Sequence, residues 1–183
     1  MASATIYQDL EFPKNIFASV GGKRLNPNAD GSFFDCLQSL IAGVVFSYTA
    51  VEAFANSTIP DDFLFSIERD DKKCRETYSK DQIERHMSLD KKLDKVLPQV
   101  CSLTSPKGTK LWVQYNELKK MRDRLIHLKS ADWEPSPPER AEDYVWTLLL
   151  AADTRQRVGY AFEIIWYFLP SEKPRWAVKF RGA

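Results

Sequence analysis

The chain has 183 residues, 44% of them hydrophobic and 28% charged, with a formal net charge of +1. That length suits one domain with a single core, and that composition excludes a disordered chain. The near-neutral balance provides no gross field to draw nucleic acid, so any such binding must use a local patch.

Three cysteines, Cys36, Cys74 and Cys101, are widely spaced and form no CxxC. An odd count without metal-ligand spacing argues against a disulfide framework or a zinc site and fits a reducing cytoplasm. The opening residues, MASATIYQDLEF, lack a basic stretch followed by an apolar one, so no signal peptide is expected.

Residues 1–31 carry turn clusters at Val20-Gly21-Gly22 and from Asn26-Pro27-Asn28 to Gly31, which predict an irregular arm with a short strand near Ile6–Phe12. A first helix is expected over Ser32–Asn56, capped by Asp30 or Ser32 and closed by Pro60. Phe33, Leu37, Leu40, Ile41, Val44, Val45, Tyr48, Val51, Phe54 and Ala55 give it a broad apolar face. Gly43 lies among them, either admitting a close helix contact or simply tolerated. Residues 61–80, with the mixed-charge run Glu68–Lys73, read as a solvated loop or short surface helix.

A second helix is expected over Lys80–Leu97, firmest after Ser88 as N-cap and limited by Pro98. The linker Ser102–Gly108 breaks the pattern. A third helix, Thr109–Lys129, carries the stripe Leu111, Tyr115, Leu118, Met121, Leu125 and Leu128. Trp133-Glu134-Pro135-Ser136-Pro137-Pro138 then serves as a stiff connector.

A fourth helix is expected over Glu139–Leu169, with Val145, Leu148, Leu149, Ala152, Val158, Phe162, Ile165 and Trp166 on its core face. Residues 144–169 are the longest candidate membrane segment, but Asp153, Arg155, Arg157 and Glu163 interrupt them, so a buried amphipathic helix is expected and no membrane partner. The tail at 171–183 is basic with interleaved aromatics, Arg175, Trp176, Lys179, Phe180 and Arg181. Four helices, short connections and no convincing strand pairs predict an all-α, mainly antiparallel bundle over residues 32–170.

The chemistry gathers on the third helix, in Met121-Arg122-Asp123-Arg124-Leu125-Ile126-His127. At about 100° per residue, His127 falls roughly 160–200° from the apolar stripe, on the opposite face. Arg122 lies nearer the edge of the stripe, where a long side chain still reaches outward. Asp123, four residues before His127, is placed to accept a hydrogen bond from the imidazole and fix its tautomer. The bland reading is a solvated charge cluster, and the bare Arg-x4-His spacing is weak on its own. Arg124 is a weaker candidate for contacting phosphate. Glu52 and Asn56 are candidates to buttress the site from the first helix, although such residues more often cap or pair locally.

Other signals are thin. His86, near Arg85 and Ser88, has no second metal ligand at a useful spacing and reads as surface. Ser105-Pro106-Lys107-Gly108-Thr109-Lys110 precedes a helix and reads as a capped loop before it reads as a phosphate site.

The stretch Asn116–His127 resembles the signature helix of HEPN domains: an arginine, a polar residue, three more residues, then histidine. Ser47–Asn56 is similar to the end of that family's first helix, and Ser88–Pro98 to a segment preceding the signature helix in bacterial members. The resemblance spans about residues 32–169. It implies a four-to-five-helix bundle that forms a homodimer with the signature helices facing each other. It also implies, in many members, metal-independent endoribonuclease activity in toxins or antiviral effectors. Asp123 departs from the commoner asparagine. No nucleotidyltransferase domain is expected within these residues, and such a partner, or an antitoxin, is expected as a separate chain.

RNA cleavage without a metal needs a base for the 2′-OH, an acid for the leaving oxygen, and positive charge on the transition state. Histidine suits the first two and arginine the third. Arg122 and His127 are therefore the expected catalytic pair, with Asp123, Arg124, Glu52 and Asn56 in support and no cofactor or metal. The rival expectation is a non-catalytic HEPN-like interaction or regulatory module.

Overall fold

The apolar positions of the first segment close into one helix, α1 (Asp30–Thr58), 29 residues long. Leu37, Leu40, Val44, Tyr48, Val51 and Ala55 line its buried face. It begins two residues before the expected start, so Asp30 lies inside the helix, and it stops two residues short of Pro60. The computed structural model describes residues 30–69, 74–128, 145–149 and 153–169. The expected strand near Ile6–Phe12, the connector at 133–138 and the basic tail lie outside the described residues. Within them the chain is mostly helical, with one small two-stranded sheet.

That sheet corrects the expectation of a loop or surface helix over 61–80 and of no strand pairing. Strands β1 (Phe65–Arg69) and β2 (Cys74–Tyr78) pair antiparallel, Phe65 opposite Tyr78 and Glu68 opposite Arg75. The period-2 pattern is short but real: Phe65 is buried and Ile67 half-buried on one face. Ser66 and Thr77 share a hydroxyl hydrogen bond of 3.1 Å. The charged run between the strands hid the alternation.

The expected second helix is broken and longer. A short helix α2 (Lys80–His86) ends where Met87 turns extended and buries its side chain. Ser88 then caps a new start, its hydroxyl accepting from the Lys91 N–H at 3.4 Å. The rod that follows runs through α3 (Leu89–Lys91), a π-helical segment (Lys92–Val96) and α4 (Leu97–Cys101). Pro98 lies inside this rod and does not end it. A proline has no N–H to donate and its ring crowds the carbonyl four residues back. The wider π turn, in which the Leu97 N–H reaches back five residues to the Lys92 carbonyl, relieves that crowding.

After a loop, α5 (Lys110–Ile126) carries Tyr115, Leu118 and Met121 into the core. It ends three residues earlier than expected, so Leu128 is exposed rather than part of the stripe. The expected fourth helix is described as two segments, α6 (Val145–Leu149) and α7 (Thr154–Phe168). Asp153 sits in a turn at φ −94°, ψ 2°, and the buried Thr154 hydroxyl donates to the Leu148 carbonyl at 3.0 Å. That bond satisfies one carbonyl left open at the end of α6. Residues 139–144 and 150–152 lie outside the described residues.

Helices α1, α5 and α7 pack against one another around Val44, Val51, Tyr115, Leu118, Ile164 and Phe168. Leu93, Val96 and Leu97 of the rod complete the core. Each such buried side chain contributes about 1.5–3 kcal/mol. A Cβ added at Gly43 would lie 3.6 Å from Val158, an ordinary contact, so the approach of α1 to α7 does not require glycine there.

One helix among the described residues, Phe34–Thr58, is long and apolar enough to cross a membrane; the expected candidate had been 144–169. One face of it packs against α5 and α7, and 28% of its most apolar stretch is buried.

Candidate functional site

Arg122 and Asp123 are adjacent on the last turns of α5. The Arg122 guanidinium donates to Asp123 Oδ1 at 3.0 Å, and both side chains are partly exposed. The guanidinium carbon stands 4.7 Å from the centroid of the Tyr48 ring on α1, a cation–π contact. Arg122 therefore emerges at the edge of the apolar stripe and points out between α1 and α5, as its position on the helical wheel suggests.

Beneath it lies an aromatic and polar support. Tyr48 is 7% exposed and stacks on Tyr115, ring centroids 6.3 Å apart and planes 17° from parallel. Tyr115, fully buried, donates its hydroxyl to Asp90 Oδ1 at 2.6 Å. The other Asp90 oxygen accepts from Lys119 Nζ at 2.5 Å. Asp90 sits in the first turn of its helix, where a carboxylate is favoured. Burial pushes both phenols above their ordinary range, and the Asp90 hydrogen bond adds to the rise at Tyr115. Burial acts to lower the Lys119 ammonium, but its bond to Asp90 overrides that and holds it above the usual lysine range.

His127 lies one residue beyond the helix. It is the C-cap, at φ −120°, ψ 73°, and its backbone N–H donates to the Asp123 carbonyl at 2.9 Å. The side chain is exposed. The expected imidazole–Asp123 hydrogen bond is not what the carboxylate makes; Asp123 pairs with Arg122 instead. Leaving the helix at residue 127 alters the direction that the i, i+4 relation assumed.

Three supporting residues lie elsewhere than expected. Arg124 is buried, 8% exposed, three residues after the buried Met121 and so on the same face; it is a core cation, not an outward phosphate contact. Asn56 gathers around Lys92, and not Arg122: Lys92 Nζ donates to Asn56 Oδ1 at 2.7 Å and to the Glu84 carbonyl at 3.1 Å. Lys92 is 1% exposed. Burial lowers its pKa, while the charges of Glu52 and Glu84 pull it back up. Glu52 thus acts electrostatically on the same lysine. Tyr48, Glu52 and Asn56 recur every four residues along one side of α1, so that side serves Arg122 at one level and Lys92 at the next.

Sequence reasoning missed Tyr48, Tyr115, Asp90, Lys119 and Lys92. A usable signal existed for the tyrosines: a phenol inside an apolar stripe needs a hydrogen-bond partner.

Elsewhere, His86 is exposed as expected. The loop before α5 is tied to the rod and to itself, Ser105 donating to Asp94 of the π segment at 2.5 Å and accepting from the Lys107 N–H at 3.1 Å. Burial tends to raise the Asp94 carboxyl, but Ser105, Lys95 and Lys107 together hold it below its usual value. Among the described residues no cluster of three or more His, Cys, Asp or Glu is arranged to hold a metal. A groove of about 670 Å³ runs between α1 and α7, with Phe46, Ala50, Ala53, Phe54, Phe162 and Ile165 on its walls. It is apolar, and neither Arg122 nor His127 lines it.

Comparison with family models, with curated proteins and with solved structures finds no match to this chain.

Proposed function

We propose that the chain is a HEPN-type, metal-independent endoribonuclease of the cytoplasm, working as a homodimer on single-stranded or loop RNA. The observation that carries this reading is the half-exposed Arg122, fixed over Tyr48, on the same helix end as the exposed His127. A permanently charged fork suits a phosphate, and an exposed imidazole suits proton transfer at the ribose and the leaving oxygen. Ile126 and Leu128, exposed on either side of His127, are apolar neighbours that suit a subunit interface there. A two-fold axis at that helix end would bring two histidines and two arginines to one phosphodiester. A toxin or antiviral role, with an antitoxin or nucleotidyltransferase as a separate chain, follows from the resemblance of Asn116–His127 to the HEPN signature.

The shared site has a direct test. A tagged heterodimer of one intact chain and one His127→Ala chain, with subunit exchange blocked, is expected to cleave RNA at far less than half the wild-type dimer rate. A rate near half means that each chain holds its own site and contradicts sharing. A monomer by light scattering at micromolar concentration contradicts the dimer itself.

A further inference from the structure

We propose that Tyr48 is the positioning residue for Arg122: its ring is a fixed platform that holds the guanidinium ready for a phosphate. The inference rests on the ribonuclease reading for its consequence in catalysis, but not for the contact itself.

An arginine that binds a transition state must be held before the substrate arrives, because ordering a long side chain during the reaction costs rate. Arg122 has one charged hydrogen bond, to Asp123, on a carboxylate that is itself partly exposed. Such a pair is weak and screened by salt. The second restraint is the Tyr48 face, 4.7 Å away and shielded from water, since Tyr48 is 7% exposed. A guanidinium over a ring face directs its N–H edges away from the ring, so those that Arg122 does not spend on Asp123 remain for a phosphate.

The platform cannot tilt easily. Tyr48 is backed by Tyr115, and Tyr115 is pinned through its hydroxyl to Asp90. Asp90 is held in turn by Lys119, one turn before Arg122 on α5. Three elements, α1, α3 and α5, are thus tied together directly under one guanidinium. With its phenol raised by burial, Tyr48 stays neutral and keeps the ring face that attracts a cation.

The test compares Tyr48→Phe, which keeps the ring, with Tyr48→Leu, which keeps apolar bulk but loses it. Cleavage of a single-stranded RNA oligonucleotide is expected to fall by about three- to tenfold in Tyr48→Leu, the rate equivalent of one half-buried cation–π contact, and to change by less than about twofold in Tyr48→Phe. A urea-unfolding cycle with Arg122→Ala provides a second readout that needs no activity. Tyr48→Leu should weaken the folding equilibrium about three- to tenfold more in the presence of Arg122 than in its absence. Equal losses with and without Arg122, or loss of cleavage in Tyr48→Phe as deep as in Tyr48→Leu, overturn the proposal. If the wild type cleaves no RNA, that result falls on the ribonuclease reading, and the unfolding cycle alone decides whether Tyr48 holds Arg122.

Discussion

Substituting His127→Ala is expected to lower RNA cleavage by about 10²–10⁴-fold, the usual share of a general acid or base, while leaving the fold intact. His127 is exposed, lies outside the helix and contributes to α5 through its backbone N–H, which alanine retains. A surface substitution of this kind shifts stability by no more than about 0.5 kcal/mol. The combination distinguishes chemistry from structure: a large fall in rate with an unchanged urea midpoint. Unchanged cleavage, or a fall matched by unfolding, removes His127 from the site.

The second large effect concerns stability. Asn56→Leu is expected to destabilise the protein by about 1–3 kcal/mol, the cost of leaving a buried polar group short of a partner, and towards the upper end because the group is charged. Lys92 Nζ would keep the Glu84 carbonyl but lose its 2.7 Å bond to Asn56. The pH dependence has a definite sign. The folded pKa of Lys92 already lies below its unfolded value, chiefly through burial, so above the folded pKa the unfolded chain binds more protons. Stability contributed through this group therefore rises with pH between the folded and unfolded values. Asn56→Leu should lower the folded value further and extend that rise to lower pH. Urea midpoints measured from pH 7 to 10 check this. A flat difference between Asn56→Leu and wild type across that range would show that Lys92 is not the group affected.

Lys92 also illustrates where a sequence stops being informative. Lys91 and Lys92 are identical neighbours, yet one is exposed and the other buried. Helical spacing puts Lys92 on the face of Leu89, Leu93 and Val96 and Lys91 opposite, but a lysine at the edge of an apolar face usually carries its ammonium out to water, so spacing alone does not give the burial of Nζ. The long helices were legible because Leu37, Leu40, Val44 and Val51 repeat over many turns, and so were Tyr115, Leu118 and Met121. The hairpin was not, because a five-residue strand with only Phe65 buried and Ile67 half-buried offers too few repeats beside a run of charged residues in the sequence. Arg122 was legible as an edge residue. The Asp123–His127 contact was misjudged because the helix ends between Ile126 and His127, and helix boundaries depend on tertiary packing more than on residue type. Tyr48 and Asp90 are linked through Tyr115 only when α1, α3 and α5 pack, which no local pattern encodes.

Asp123 is the other residue whose surroundings changed its expected role. As a partner of Arg122 it neutralises part of the charge that a phosphate would meet. An incoming phosphate would have to compete with that carboxylate or share the guanidinium with it.

Purified protein incubated with single-stranded RNA in EDTA, followed by analysis of the new ends, tests the ribonuclease proposal most directly. Cleavage that persists under chelation and leaves 2′,3′-cyclic phosphate ends, with the matching DNA untouched because it lacks the 2′-OH, is the expected result. No cleavage, cleavage that returns only when magnesium is added, or DNA cut at a comparable rate would contradict it.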